Sequence, residues 1–166
     1  MKTWFLAGSH PNDYTDGIDN AVTYEGKKAA HLRCKVDEPG GFGTLMQSFK
    51  ADQYRNKRMR FSGAVKSEGV TSWAALWMRV DDDDAKLLEF DNMQERSIEG
   101  DTDWQRYPVV LDIPLKGDSV HFGILLDGKG QVWLSDVRFE EAPNEPITGR
   151  KKQLPDEPGN LDFSNE

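Results

Sequence analysis

Short bursts of apolar residues, each closed by Gly, Pro, Asp or Asn, run through most of this 166-residue chain. Such punctuation is typical of β-strands and turns, and no segment keeps the 3.6-residue period of an amphipathic helix. The pattern predicts strands at Trp4–Ala7, Ala21–Tyr24, Ala29–Val36, Thr44–Lys50, Lys57–Lys66, Thr71–Val80, Leu87–Asp91, Gln105–Ile113, Ser119–Leu126 and Gln131–Glu140. Strands at this spacing favour an all-β fold, an antiparallel β-sandwich.

The Thr71–Val80 segment is apolar on both of its faces. Leu76 and Met78 fall on one side, and Trp73 and Trp77 fall on the other. Because successive side chains of a strand point to opposite faces, this strand is either covered on both sides or shows its aromatic face to a ligand.

Length and charge restrict the class of protein. A chain of this size is expected to form one domain with one core. Its 29 acidic and 21 basic side chains give a formal charge of −8, which argues against direct contact with nucleic acid or anionic membranes. Cys34, the single cysteine, is predicted to be a core thiol. Without a signal peptide or an apolar run long enough for a membrane span, a cytoplasmic protein is expected.

The strand pattern stops near residue 141, so we predict a β-sandwich module at 1–141 and a linker with a C-terminal segment at 142–166. The segment Asn160–Phe163 is apolar at two alternate positions, which suits an added edge strand better than a solvated tail.

Two segments carry a family resemblance. In Asp103–Pro114, Trp104 and Tyr107 form a Trp-x-x-Tyr arrangement, and in Gly130–Glu140 an aromatic residue, Trp133, is followed by Ser-Asp-Val. The first resembles a strand of jelly-roll carbohydrate-binding modules of the galactose-binding-domain-like type, and the second resembles their closing strand, where Asp-Asp-Val follows the aromatic. The resemblance implies the jelly-roll form of the sandwich and a carbohydrate ligand. It does not imply which ligand, because one scaffold carries many sites.

The resemblance also bears on the two ends of the chain. Such modules often begin with Asn-x-x-Phe-Glu shortly before a Trp, whereas this chain begins close to Trp4 and has a similar segment at Asn160–Phe163. The tail is then either the stub of a following repeat or a strand that folds back. A folded-back strand docks within a monomer or across a tail-swapped dimer.

Many relatives hold a structural calcium with a Glu and an Asp at positions that read Ser164 and Ser135 here. Calcium prefers several charged or carbonyl oxygens, so we expect no metal site and no other cofactor.

The residues best placed to bind a ligand are Trp73, Trp77, Arg79, Asp91 and Asn92. Indole faces stack on the apolar faces of sugar rings, and a guanidinium, carboxylate or amide bonds the hydroxyls. Core packing is the alternative role for the two tryptophans, and a solvated turn is the alternative for Asp91 and Asn92.

The sequence therefore predicts a non-catalytic module for a carbohydrate or another small hydroxylated ligand. The alternative is a ligand-sensing or protein-interaction domain associated with a transcription regulator, since similar modules accompany such regulators. A weak glycoside hydrolase or lyase is a third reading, because Glu89 and Asp91 share a strand face, although the chain has none of the common catalytic motifs.

Overall fold

The computed structural model describes residues 1–149 and 157–164. Within these ranges nine strands form an antiparallel sheet that folds over on itself. The strands are β1 (Phe5–Ala7), β2 (Tyr14–Tyr24), β3 (Lys27–Cys34), β4 (Phe42–Lys50), β5 (Arg58–Asp81), β6 (Leu87–Asp91), β7 (Ile98–Asp112), β8 (Ser119–Asp127) and β9 (Gln131–Glu141).

The 24-residue strand β5 belongs to both layers of the fold. Its first half pairs with β7 and β9 in a layer ordered β2-β3-β9-β5-β7, and its second half pairs with β8 and β6 in a layer ordered β1-β4-β8-β5-β6. Between the halves Gly69 has a φ of +65°, a conformation that a residue without a Cβ adopts at little cost. One bent strand therefore replaces the two that were predicted at Lys57–Lys66 and Thr71–Val80.

The two layers enclose an apolar core. Phe61 of β5 stacks on Phe122 of β8, with ring centroids 4.1 Å apart and an interplanar angle of 2°. Leu32, Leu111 and Leu126 are fully buried around them. The antiparallel β-sandwich predicted from the sequence is confirmed. Cys34 is half-buried at the margin of this core, and its thiol donates to the Val36 carbonyl at 3.3 Å.

Residues 142–149 pack against the module, although the sequence predicted the start of a linker there. The Thr148 amide donates to the Val110 carbonyl at 3.0 Å, and the Val110 amide donates to the Thr148 hydroxyl at 2.8 Å. Ile147 contacts the core. This segment therefore covers the free edge of β7.

The predicted edge strand at the C-terminus is not formed within this monomer. Residues 160–163 make a turn, and the side chains of Leu161 and Phe163 are 76% and 74% exposed. A tail strand exchanged between two copies stays a prediction, and residues 150–156 and 165–166 of the tail lie outside the described residues. In the described ranges no helix has the length and apolar character needed to cross a membrane.

Candidate functional site

The outer face of the second layer carries a groove. Strands β4, β8 and β5 lie side by side, and alternate residues of each strand share this face. Their register sets directly opposed residues in rows, which are Phe42, Asp127 and Trp73; Thr44, Leu125 and Ala75; and Met46, Gly123 and Trp77.

The groove has a volume of about 470 Å³ and a mostly apolar lining that includes Phe42, Met46 and Phe90. Four of the five residues that the sequence singled out for ligand binding line it, namely Trp73, Trp77, Arg79 and Asn92. The fold thus brings together side chains from the end of β5 and from the residue that follows β6. Their role in binding stays a prediction.

The two tryptophans occupy different depths of the groove. Trp77 is only 9% exposed, and its indole nitrogen donates to the Thr44 hydroxyl at 2.8 Å, so its ring is fixed at the floor. Trp73 is partly exposed. Trp73 is therefore the indole whose face is open to a ligand, while Trp77 forms the surface beneath it.

Gly123 gives the groove its depth. It lies between Met46 and Trp77 in the row across the sheet, and without a side chain it leaves the space above β8 open. A Cβ at this position would lie 2.3 Å from the Leu45 carbonyl oxygen, closer than any real contact. Glycine is thus required for the close approach of β8 to β4, and the groove is a consequence.

Polar groups stand at one end of the groove. Arg79 faces Phe90 of β6 across the strand pair, and its side chain is 46% exposed. One of its terminal nitrogens donates to Asp81 at 2.9 Å. The side-chain oxygen of Asn92, Oδ1, accepts from the Gln94 backbone amide at 3.2 Å, which leaves the side-chain NH₂ of Asn92 for the groove. These two residues supply hydrogen-bond donors beside an apolar surface.

Asp91 does not lie in the groove, which corrects the sequence prediction. It is paired with Met78, on the side of the sheet that faces the core, and is 4% exposed. Its carboxylate contacts Arg96 at 2.6 Å and accepts from the Thr148 hydroxyl at 2.7 Å and from the Met93 amide at 3.0 Å. Successive side chains along a strand point to opposite faces. Asp91 therefore points toward the core, while Phe90 and Asn92, on either side of it, point toward the groove.

The same register bears on the hydrolase reading. Glu89 is paired with Val80, and Asp91 with Met78, so both carboxylates lie on the side opposite to the groove. On the groove face itself Asp127 is opposed to Trp73, and Asp81 lies eight residues further along β5. Glycoside hydrolysis ordinarily uses two carboxylates that flank the scissile bond. The pair that suggested this chemistry, Glu89 and Asp91, lies away from the groove.

Sequence reasoning missed a row of polar side chains that continues the groove. Ser48, His121 and Arg79 are directly opposed on β4, β8 and β5. Ser48 Oγ lies 2.7 Å from His121 Nδ1, and Asp81 Oδ2 lies 3.3 Å from His121 Nε2. Burial lowers the pKa of His121; Asp81 opposes this shift and Arg79 adds to it. Nothing in the sequence links these positions except the strand register.

Ser135 and Ser164, the positions where the resemblance implies calcium ligands, are placed differently. Ser135 is buried and donates to the Lys28 carbonyl at 2.7 Å, and Ser164 lies in the exposed tail. Asp136, which follows Ser135, forms ion pairs with Lys27, Arg106 and Arg138. The hydrogen bond to Lys27 is the main cause of the lowered pKa of Asp136. Residues 1–149 and 157–164 contain no group of three His, Cys, Asp or Glu side chains suited to a metal ion. The absence of a structural calcium stays a prediction.

Among curated proteins the chain is similar to an uncharacterised HTH-type transcriptional regulator of Bacillus subtilis (strain 168). The two are 44% identical over 171 residues, an alignment that covers 100% of this chain and 58% of the regulator. The chain therefore spans somewhat over half of the length of this relative. No family model matches the sequence.

Solved structures of carbohydrate-binding modules share the fold. A xylan-binding domain of family 22 matches with a TM-score of 0.63 and 9% identity, covering 87% of this chain and 90% of that domain. A family 61 module, solved in complex with β-1,4-galactotriose, matches with a TM-score of 0.55 and 12% identity, covering 85% of this chain and 90% of the module. The chain has the jelly-roll fold of carbohydrate-binding modules, as the two sequence segments indicated.

Proposed function

We propose that the groove binds an oligosaccharide and that the module is not catalytic. One observation carries the proposal: a partly exposed indole, Trp73, stands over an apolar groove that ends in the donors of Arg79 and Asn92. A pyranose ring has an apolar face and a polar edge, so it fits an aromatic surface beside fixed hydrogen-bond donors.

The shape of the site supports a chain of sugars over a single small ring. The groove lies on an open sheet face rather than in a closed cavity, and its rows span three strands. The solved modules with this fold include a xylan-binding domain and one that holds β-1,4-galactotriose. We take xylo-oligosaccharides and β-1,4-galacto-oligosaccharides as the first ligands to test.

The placement of the carboxylates supports binding without hydrolysis. Glu89 and Asp91 lie on the side opposite to the groove, and the two on the groove face, Asp127 and Asp81, lie at opposite ends of it, too far apart to flank one bond. In a glycosidase one carboxyl group protonates the leaving oxygen and a second acts as base or nucleophile. A groove that offers indoles, a guanidinium and an amide is equipped to hold a sugar and not to cleave it.

A second function is favoured by the regulator of Bacillus subtilis. Its alignment with this chain covers all 166 residues, so a module of this kind forms part of a transcriptional regulator there. We infer that the module senses a sugar for a regulator inside the cell. With a formal charge of −8 the module itself is unsuited to DNA, so DNA contact would fall to another part of such a protein.

The test is a titration with xylohexaose and with β-1,4-galactotriose, followed by isothermal calorimetry and by tryptophan fluorescence. We expect one of them to bind, and Trp73→Ala to abolish the heat of binding because the stacking surface is lost. The matched control is Trp104→Ala, because Trp104 is also partly exposed but packs on Tyr24 in the other layer, with centroids 5.3 Å apart. Equal loss in both variants, or no binding by the wild type, would contradict the proposal.

A further inference from the structure

A polar row crosses the second layer beyond the two tryptophans and consists of Ser48, His121, Arg79 and Asp81. Strand register places Ser48, His121 and Arg79 directly opposite one another, and Asp81 lies two residues after Arg79 on the same face. Of these four residues, Arg79 alone lines the apolar groove. The other three extend the site past its apolar part.

Asp81 holds the row in place. Its side chain is only 5% exposed, and its Oδ2 contacts both Arg79 at 2.9 Å and His121 Nε2 at 3.3 Å. The other oxygen, Oδ1, is buried and has no hydrogen-bond partner among the described residues. The contacts to Arg79 and His121 are thus the main compensation for a buried charge, which makes them costly to break.

The surroundings of His121 favour one arrangement of its protons. Nε2 lies 3.0 Å from the Ser119 hydroxyl and 3.3 Å from Asp81 Oδ2. The negative charge of Asp81 favours a proton on Nε2, which the Ser119 hydroxyl can accept, and Nδ1 of the neutral ring is then an acceptor. The Ser48 hydroxyl then donates to Nδ1 across 2.7 Å. Its oxygen keeps both lone pairs as acceptors, and Ser48 is exposed.

Arg79 has unused donors at the other end of the row. Among the described residues only its Nη2 makes a hydrogen bond, to Asp81, and 46% of its side chain is exposed. The row therefore presents fixed donors at Arg79 and a fixed acceptor at Ser48, two strands apart on one face of the sheet.

We propose that the polar row is a subsite that binds two hydroxyls of one neutral sugar ring, one accepting from Arg79 and the other donating to Ser48. The inference rests on the proposed function and names the part of the ligand that this end of the groove selects. Asp81 and His121 are positioning residues, because they orient Arg79 and Ser48.

A neutral ring is favoured over an acidic one by charge. The Arg79 guanidinium is already compensated by Asp81, and the chain as a whole carries −8. Lys50 of β4 lies opposite Ser119 of β8, which in turn lies opposite Asp81, and Lys50 is the one Lys or Arg on β4 and β8. A carboxylate ligand would meet little net positive charge here, whereas hydroxyls need only a donor and an acceptor.

Protonation of His121 gives the subsite a pH signature. The charged ring donates from Nδ1 to Ser48 Oγ, which occupies one of the two Ser48 lone pairs and turns the Ser48 proton outward, so the ligand hydroxyl meets a donor and a weaker acceptor. The groups that face the ring are Ser48 and Lys50 from β4, Arg79 and Asp81 from β5, and Ser119 from its own strand. Affinity should therefore be constant at neutral pH and fall in acid.

The experiment is calorimetry with xylohexaose and β-1,4-galactotriose between about pH 5 and 8. We expect Ser48→Ala and Arg79→Gln each to weaken binding about three- to tenfold, the effect of one or two lost hydrogen bonds. We expect His121→Gln to remove the decline in acid. The matched controls are Thr23→Ala and Arg33→Gln, both exposed on the first layer.

Each outcome separates the subsite from the groove. If Trp73→Ala abolishes binding while Ser48→Ala and Arg79→Gln leave it unchanged, the groove binds sugars and the subsite is wrong. Binding of tri-galacturonate through Arg79, more tightly than β-1,4-galactotriose, would overturn the preference for a neutral ring. If neither neutral oligosaccharide binds the wild type, the subsite falls together with the proposed function.

Discussion

The indole nitrogen of Trp77 on β5 reaches across β8 and donates to the hydroxyl of Thr44 on β4, at 2.8 Å. The contact joins two strands that are not neighbours, and it passes over Gly123, where the intervening strand has no side chain. Thr44 in turn donates to the Ile124 carbonyl at 2.8 Å. The floor of the groove is therefore held by a buried chain of hydrogen bonds and not by apolar packing alone.

Replacing Thr44 with valine should be destabilising although the shape is kept. Thr44→Val leaves the Trp77 nitrogen unpaired in a buried place and removes the hydrogen bond to the Ile124 carbonyl, which costs about 2–3 kcal/mol. For a chain of this size the melting temperature should fall by about 4–12 °C in calorimetry. Thr23→Val, an exposed change on β2, is the control and should melt within about 2 °C of the wild type. If the two variants have the same melting temperature, the hydrogen bond between Thr44 and Trp77 does not stabilise the fold.

Asp91 and Asn92 should respond in opposite ways to mutation. Asp91→Ala removes the buried partner of Arg96 and Thr148, and we expect a loss of about 3 kcal/mol with unchanged affinity for xylohexaose per folded molecule. Asn92→Ala should leave the melting temperature nearly unchanged and weaken xylohexaose binding, because its amide faces the groove. Denaturant unfolding and calorimetry on both variants provide the measurements. If only Asp91→Ala weakens binding, the prediction is wrong and the Asp91 carboxylate contributes to the site.

The lowered pKa of His121 predicts a loss of stability in mild acid. Burial is the main cause of the shift, so the folded chain takes up the proton at a lower pH than the unfolded chain, whose histidine titrates near 6.5. As pH falls through about 6.5, the unfolded state binds more protons, and by linkage the free energy of unfolding decreases until the folded pKa is passed. In His121→Gln this part of the pH dependence should disappear, while His10 and His31 are present in both proteins. Denaturant midpoints for wild type and variant across this range test it, and parallel curves for the two proteins would contradict it.

The sequence was informative wherever the period-2 pattern was unbroken. Trp73, Trp77 and Arg79 alternate on one strand, and the structure places all three along the same groove. The same rule, applied to β6, turns Asp91 inward and Asn92 outward. Two adjacent residues could not both face the ligand, as the sequence prediction had assumed.

Two features lay beyond sequence reasoning for physical reasons. Ser48 and His121 meet Arg79 only through the register of three strands that are distant in sequence. The second feature is a bulge in β9. In an unbroken strand Trp133 and Phe139 would lie on one face, but Asp136 has a φ of +49° and the pairing of β9 with β5 shifts register there. Such a bulge moves every later side chain to the other face. The buried Trp133 therefore lies on the other face from Phe139, and its indole nitrogen donates to Asp19 at 3.0 Å.

The acidic run Asp81–Asp84 contains the end of a strand that its composition does not mark. Strand β5 continues through Asp81, which is buried, while Asp83 and Asp84 are exposed as a solvated loop requires. The Asp82 carboxylate closes that loop by accepting from the amides of Asp84 and Lys86. A run of like residues conceals the point at which a strand ends, because composition carries no signal there.

The C-terminal tail yields the last prediction, which concerns assembly. Leu161 and Phe163 are apolar at alternate positions and exposed in the monomer, and β1 and β2 leave the two layers with unpaired outer edges among the described strands. A strand from the tail of one copy that pairs with such an edge of another would bury both side chains, at about 1.5–3 kcal/mol each before ordering costs. That gain is small, so we expect a weak, concentration-dependent dimer. Sedimentation velocity over a range of concentrations should show association of the full chain, and deletion of residues 156–166 or Phe163→Asp should abolish it while the monomer melts unchanged. A full-length chain that stays monomeric at every concentration would mean that the tail is only a linker.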